Sequence, residues 1–145
     1  MSGHRTFWLA FCAGTALNPD QKADLEQMTK RLASSRAWSF NEPRFVDEPP
    51  AAREDDDEEW VGVELELYST FKPNKLPIDL ERRQLEDTEA VIGAVWDWSD
   101  RNGVPFEAEY AGERIGAIEN GFLDDGLGIT FLEAWRRSLA ARSRT

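Results

Sequence analysis

EDDDEEWVGVELELY, residues 54–68, joins two opposite tendencies within one short stretch. Six consecutive acids, Glu54 to Glu59, repel one another and stay solvated. A strict alternation then begins. Val61, Val63, Leu65 and Leu67 fall on one side of an extended chain, and Trp60, Gly62, Glu64, Glu66 and Tyr68 on the other. The spacing predicts a β-strand over 60–68 with one face for a core and one face for charge.

The rest of the composition suits a single globular domain. A chain of 145 residues with 41% hydrophobic content and six Trp is long and apolar enough to bury a core. Its formal net charge of −11 argues against nucleic acid and anionic membranes as partners, because binding them needs a basic surface. A basic protein is the electrostatically favoured partner. The charge is uneven. Asp47 to Glu66 holds ten acids against one base, Arg53, a local net of −9, while Glu133 to Thr145 holds four Arg against one Glu. One domain over 1–145 is therefore expected, with an acidic, Pro-containing flexible loop at 47–59 and a disordered basic tail at 140–145.

Upstream, TFWLAFCA (Thr6–Ala13) reads as a buried strand, with Phe7, Leu9 and Phe11 on one face and Trp8, Ala10 and Cys12 on the other. The apolar run is barely seven residues, so it reads as a first strand rather than a secretory signal, and a cytoplasmic protein is expected. With Cys12 the only cysteine, no intramolecular disulfide can form. Asn18-Pro19 starts a helix, with Asn18 as N-cap and Gln21 at N3, and Leu25, Met28 and Leu32 carry its apolar stripe to about 34. Arg36 to Val46 is expected to be a second strand. Pro43 interrupts it and so places it at a sheet edge or bulge.

Downstream, Leu85, Thr88, Ile92, Val95 and Ser99 trace a helix over about 79–101, with Asp79 as N-cap and Asn102-Gly103 as its stop. Val104–Tyr110 alternates, with Glu107 and Glu109 outward. Ala111-Gly112 turns the chain back into a short strand, Arg114–Ile118. Asn120-Gly121 is a further turn. A last helix carries Phe131, Leu132, Trp135 and Leu139, and Gly126 and Gly128 weaken its first turns, which places its start near 129 with an earlier start as the alternative.

This β-α-β-β-α-β order, with an added strand and helix, predicts an α+β fold with a ferredoxin-like antiparallel sheet and helices mainly on one face. The first strand would then lie between the third and fourth. The uncovered face would carry Trp8, Ala10 and Cys12, flanked by Glu64 and Glu66 on one side and Glu107 and Glu109 on the other. The C-terminal helix is the alternative cover for that face.

Chemistry is sparse. His4 and Cys12 are the only imidazole and thiol, too few for a zinc site. Asp55, Asp56 and Asp57 lack the alternation and glycine of a calcium loop. Neither a metal nor a cofactor is expected. The Glu64/Glu66 and Glu107/Glu109 pairs could serve acid–base chemistry only in a cleft that raises one pKa, and an exposed sheet face is the plainer reading. No nucleophile elbow, P-loop or dinucleotide fingerprint is present.

Two functions follow as expectations. The first is a non-enzymatic acidic binding protein for a basic protein partner, most concretely a bacterial immunity protein that neutralises a toxin, with an acidic mimic of nucleic acid as a near relative. Its binding residues would be Glu54, Asp55, Asp56, Asp57, Glu58, Glu59, Glu64, Glu66, Glu107 and Glu109, with Trp60 or Tyr68 as anchors. The second is a small-ligand protein or enzyme with a site between the sheet and the last helix, around Asn120, Asp124 and Asp125. A homodimer through the open sheet face is a third arrangement.

Overall fold

The chain's structure, a computed structural model, describes residues 6–48, 59–68 and 76–143. It is an α+β fold with a six-stranded antiparallel sheet and three helices. In chain order these are β1 (Thr6–Ala13), α1 (Pro19–Ser34), β2 (Arg44–Glu48), β3 (Trp60–Tyr68), α2 (Ile78–Asn102), β4 (Phe106–Tyr110), β5 (Glu113–Glu119), β6 (Phe122–Leu123) and α3 (Ala134–Ser143). The strands lie in the order β2-β3-β1-β4-β5-β6, so β1 sits between β3 and β4.

Register fixes the faces. Phe7, Leu9 and Phe11 stand opposite Leu67, Leu65 and Val63 on β3, and Leu9, Phe11 and Ala13 opposite Tyr110, Ala108 and Phe106 on β4. This side is the core, where Leu25 and Met28 of α1, Val91, Ile92 and Val95 of α2 and Leu139 of α3 pack on it. Trp98, fully buried, meets Phe106 edge-on and donates its indole N–H to Asp24 at 2.7 Å. On the other side, Ala10, Val46 and Trp60 form a small cluster with no helical member. α3 therefore packs on the core side, and two of its arginines pair with α2 rather than with the sheet carboxylates: Arg136 with Glu89 and Arg142 with Glu81.

Several elements differ from the sequence expectation, each for a local reason. β2 begins only after Pro43, whose missing N–H cannot join the ladder, and it takes the edge position. It also runs on through Asp47 and Glu48, which the expected loop had included. Residues 35–41 instead form a bent connection tied to α2 through Asp87. The N-cap of α2 is Pro77, and Asp79 lies in the first turn, where Arg82 donates to it at 3.0 Å. Two strands follow β4 rather than one, because Asn120 and Gly121, at φ 53° and 78°, turn the chain tightly into β6.

The last helical segment takes the earlier of the two expected starts. A π-helix, Gly126–Glu133, leads without a break into α3, which continues through Ser143, past the point where a disordered tail was expected. Gly126 is where the chain passes closest to the sheet: a Cβ there would lie 2.5 Å from the Ile115 carbonyl oxygen. A Cβ on Gly116 of β5 would in turn lie 2.6 Å from the Leu127 nitrogen. The two glycines let the π-helix lie directly on β5.

Candidate functional site

The sheet's outer face is built by alternation. From Arg44 on β2 the row runs through Glu64, Ala10 and Glu109 to Arg114 on β5. The next row runs Val46, Gly62, Cys12, Glu107 and Ala117. Glu64 and Glu109 therefore flank Ala10 on either side, two strand spacings apart, roughly 10 Å. Gly62 is small by necessity, since a Cβ there would meet the Phe11 carbonyl oxygen at 1.8 Å.

Trp8 is a large apolar group exposed on this face, 36% accessible, with the Arg44 guanidinium 4.5 Å from its ring centroid. Arg44 also donates to Glu64 at 3.1 Å. Glu66 accepts from Thr6 Oγ1 at 2.7 Å and from Asn41 Nδ2 at 3.1 Å. Glu107 pairs with Arg114, whose guanidinium is raised above its ordinary pKa first by that hydrogen bond and then by the same carboxylate's charge. Glu109 has no ion pair among the described residues.

The remaining predicted positions are scattered. Glu59 lies at the start of β3, where Lys22 of α1 donates to it at 2.8 Å and approaches Asp47 at 3.6 Å. The Glu59 hydrogen bond is the main cause of a raised Lys22 pKa. Trp60 is 5% exposed and packs with Ala10 and Val46, so it is core to the outer face rather than a projecting anchor. Tyr68 is half-buried at the far end of β3, with its ring 4.7 Å from Phe40. Glu54, Asp55, Asp56, Asp57 and Glu58 lie outside the described residues.

A cavity of about 660 Å³ opens on the opposite side, between the sheet and the C-terminal helical segment. Phe7, Tyr110, Phe131 and Trp135 line it as a chain of rings, with successive centroids 5.8, 5.9 and 5.8 Å apart. Burial pushes the Tyr110 phenol up to about 12. Glu81, on the first turn of α2 and 4% exposed, also lines it. Arg142 holds its Oε2 at 2.5 Å and the Leu76 carbonyl at 2.6 Å. The sequence had pointed to this region through Asn120, Asp124 and Asp125, but none of the three lines the cavity. Asp124 is spent on the Leu127 N–H at 2.9 Å, Asn120 forms the β5–β6 turn, and Asp125 is exposed. Glu81 escaped notice because an acid in a helix's first turn ordinarily reads as solvated. Only the distant Arg142 reveals its burial.

No described helix is long and apolar enough to cross a membrane, and no group of three or more metal-ligating side chains gathers among the described residues. Comparison with protein-family models, with curated proteins and with solved structures finds no match for this chain.

Proposed function

We propose that this chain is a non-enzymatic acidic binding protein whose outer sheet face docks on a basic protein partner, most concretely as an immunity protein that neutralises a toxin. The observation that supports this reading is the composition of that face. An exposed Trp with a guanidinium over its ring stands among Glu64, Glu66, Glu107 and Glu109. Aromatic and Arg groups supply contact energy at interfaces, and surrounding carboxylates steer a positively charged partner. Trp8 takes the anchoring part expected of Trp60 or Tyr68. The acid run ends at Glu59, next to the first residue of β3. Self-docking through this face would set carboxylate against carboxylate, which favours a basic partner over a second copy.

The same reading takes the β2-β3-β1-β4 portion as a ferredoxin-like βαββαβ unit, extended by β5, β6 and the C-terminal helices. Its supports are the central place of β1 and the two helices packed with the core face.

The test is affinity capture from the native host's lysate at low salt with stepwise salt elution, run in parallel with Trp8→Ala and Glu109→Lys variants. A basic protein that the wild type holds, that salt releases, and that both variants lose is the expected result. Capture that ignores both substitutions, or association whose rate ignores ionic strength, would end the proposal.

A further inference from the structure

We propose that the cavity between the sheet and the C-terminal helical segment binds a small organic amine. The amine's apolar body would lie against the four rings and its nitrogen would donate to Glu81. Four observations converge. At about 660 Å³ the space lies in the range of small-ligand sites. Its wall is a continuous run of aromatic rings, Phe7–Tyr110–Phe131–Trp135, and ring faces attract cations. One side of the cavity is π-helical, with Thr130 and Phe131 on it, and that uncommon geometry recurs at functional sites. The fourth is the carboxylate. Glu81 is 4% exposed and lines the space, and Arg142 engages its Oε2. No donor reaches its other oxygen, Oε1, among the described residues.

Charge selects the class of ligand. Arg142 is bound to Glu81 and to the Leu76 carbonyl, and Arg114, at the rim, is bound to Glu107. Neither cation is left to hold an anion. Glu113 adds negative charge at the rim, and the whole chain carries −11. A largely buried carboxylate beside aromatic faces, in a negative field, fits an ammonium group.

The probe is phenethylamine, with phenethyl alcohol and hydrocinnamate as its neutral and anionic counterparts. Binding is followed by amide NMR and by thermal denaturation. Saturable shifts should fall on the amides of 110–115 and 126–138, with the amine binding on the order of tenfold more tightly than the alcohol. Glu81→Gln should erase that preference. Ser138→Phe fills the cavity from an exposed helical position and should abolish binding of all three probes. It also keeps the test decisive if Glu81→Gln fails to fold. Trp8→Ala, on the outer face, should leave amine binding unchanged, which separates this site from the protein-docking surface. Absence of saturable binding by the amine, equal affinity for the three probes, or binding undiminished by Ser138→Phe would each overturn the proposal.

Discussion

Replacing Asp87 with Ala should destabilise the fold by about 3 kcal/mol, working from three contacts. The Asp87 side chain is 3% exposed. Its Oδ2 accepts from the Ser39 backbone N–H at 2.8 Å and from the Ser39 hydroxyl at 2.6 Å, and its Oδ1 lies 3.0 Å from an Arg36 nitrogen. Hydrogen bonds to a charged acceptor contribute ~1.5–3 kcal/mol each. The full ~3–5 kcal/mol of a broken buried pair does not apply, because Arg36 is 32% exposed and can turn to water. Around these bonds Arg36 lies 5.2 Å from the Trp38 ring, and Trp38 donates its indole N–H to the Ala33 carbonyl at 2.9 Å. The first half of the α1–β2 connection is thus clamped to α2 through this carboxylate. Asp87→Asn keeps an acceptor and the shape, and should cost about 1 kcal/mol. Urea denaturation at an unchanged slope measures both values. A cycle with Ser39→Ala should show coupling of about 1 kcal/mol or more. If Asp87→Ala costs less than ~1 kcal/mol, the carboxylate's desolvation cancels its bonds, and the clamp is not what orders the connection.

Other substitutions probe the sheet and its turns. Gly62→Ala must push β3 off the Phe11 carbonyl, since the clash is with backbone that no rotamer can relieve. A loss of about 3 kcal/mol is expected in thermal or chemical denaturation, and a loss of only a few tenths would mean that β1 and β3 shift apart freely. Ala111-Gly112 holds the same pair of positive φ values as Asn120-Gly121, 55° and 83°, with an Ala where Asn is favoured. Ala111→Asn should therefore stabilise by about 0.5–1 kcal/mol, read as a higher denaturation midpoint. Tyr110 gives a pH signature. Its phenol is raised from 10.0 to about 12 by burial, so the folded state holds its proton after the unfolded chain has released it. The stability tied to that proton is complete below pH 10 and is lost as pH rises towards 12. In a Tyr68→Phe background the phenolate absorbance should appear late, and appearance near the ordinary value would show the ring to be solvated.

What could be read from the residues was whatever depends on short periods and local punctuation. The β3 alternation, the Asn18 N-cap, the stop at Asn102-Gly103 and the alternation of Leu9 and Phe11 with Trp8 and Cys12 all follow from neighbours a few positions apart. What could not be read depends on partners far along the chain. Trp60 is buried although it sits on the charged side of its strand, because Val46 of an edge strand and Ala10 close on it. Gly126 signals a weak helix in isolation, and only its approach to Ile115 explains why the helical turns begin there. The cavity draws its rings from β1, β4 and the C-terminal segment, and its carboxylate from α2. No window of sequence contains them together.

The central place of β1 has a consequence for how the chain is made. TFWLAFCA is synthesised before either of its neighbours. Its pairing with β3 closes only once Tyr68 is available, and its pairing with β4 only once Tyr110 is. Until then the most apolar strand has both edges unpaired and attractive to other extended chains. Non-local pairing of this kind slows folding. On the ribosome, α1 is the first element able to cover Leu9 and Phe11. The yield of folded protein should therefore depend on how long that interval lasts, and on whatever shields the strand while it does.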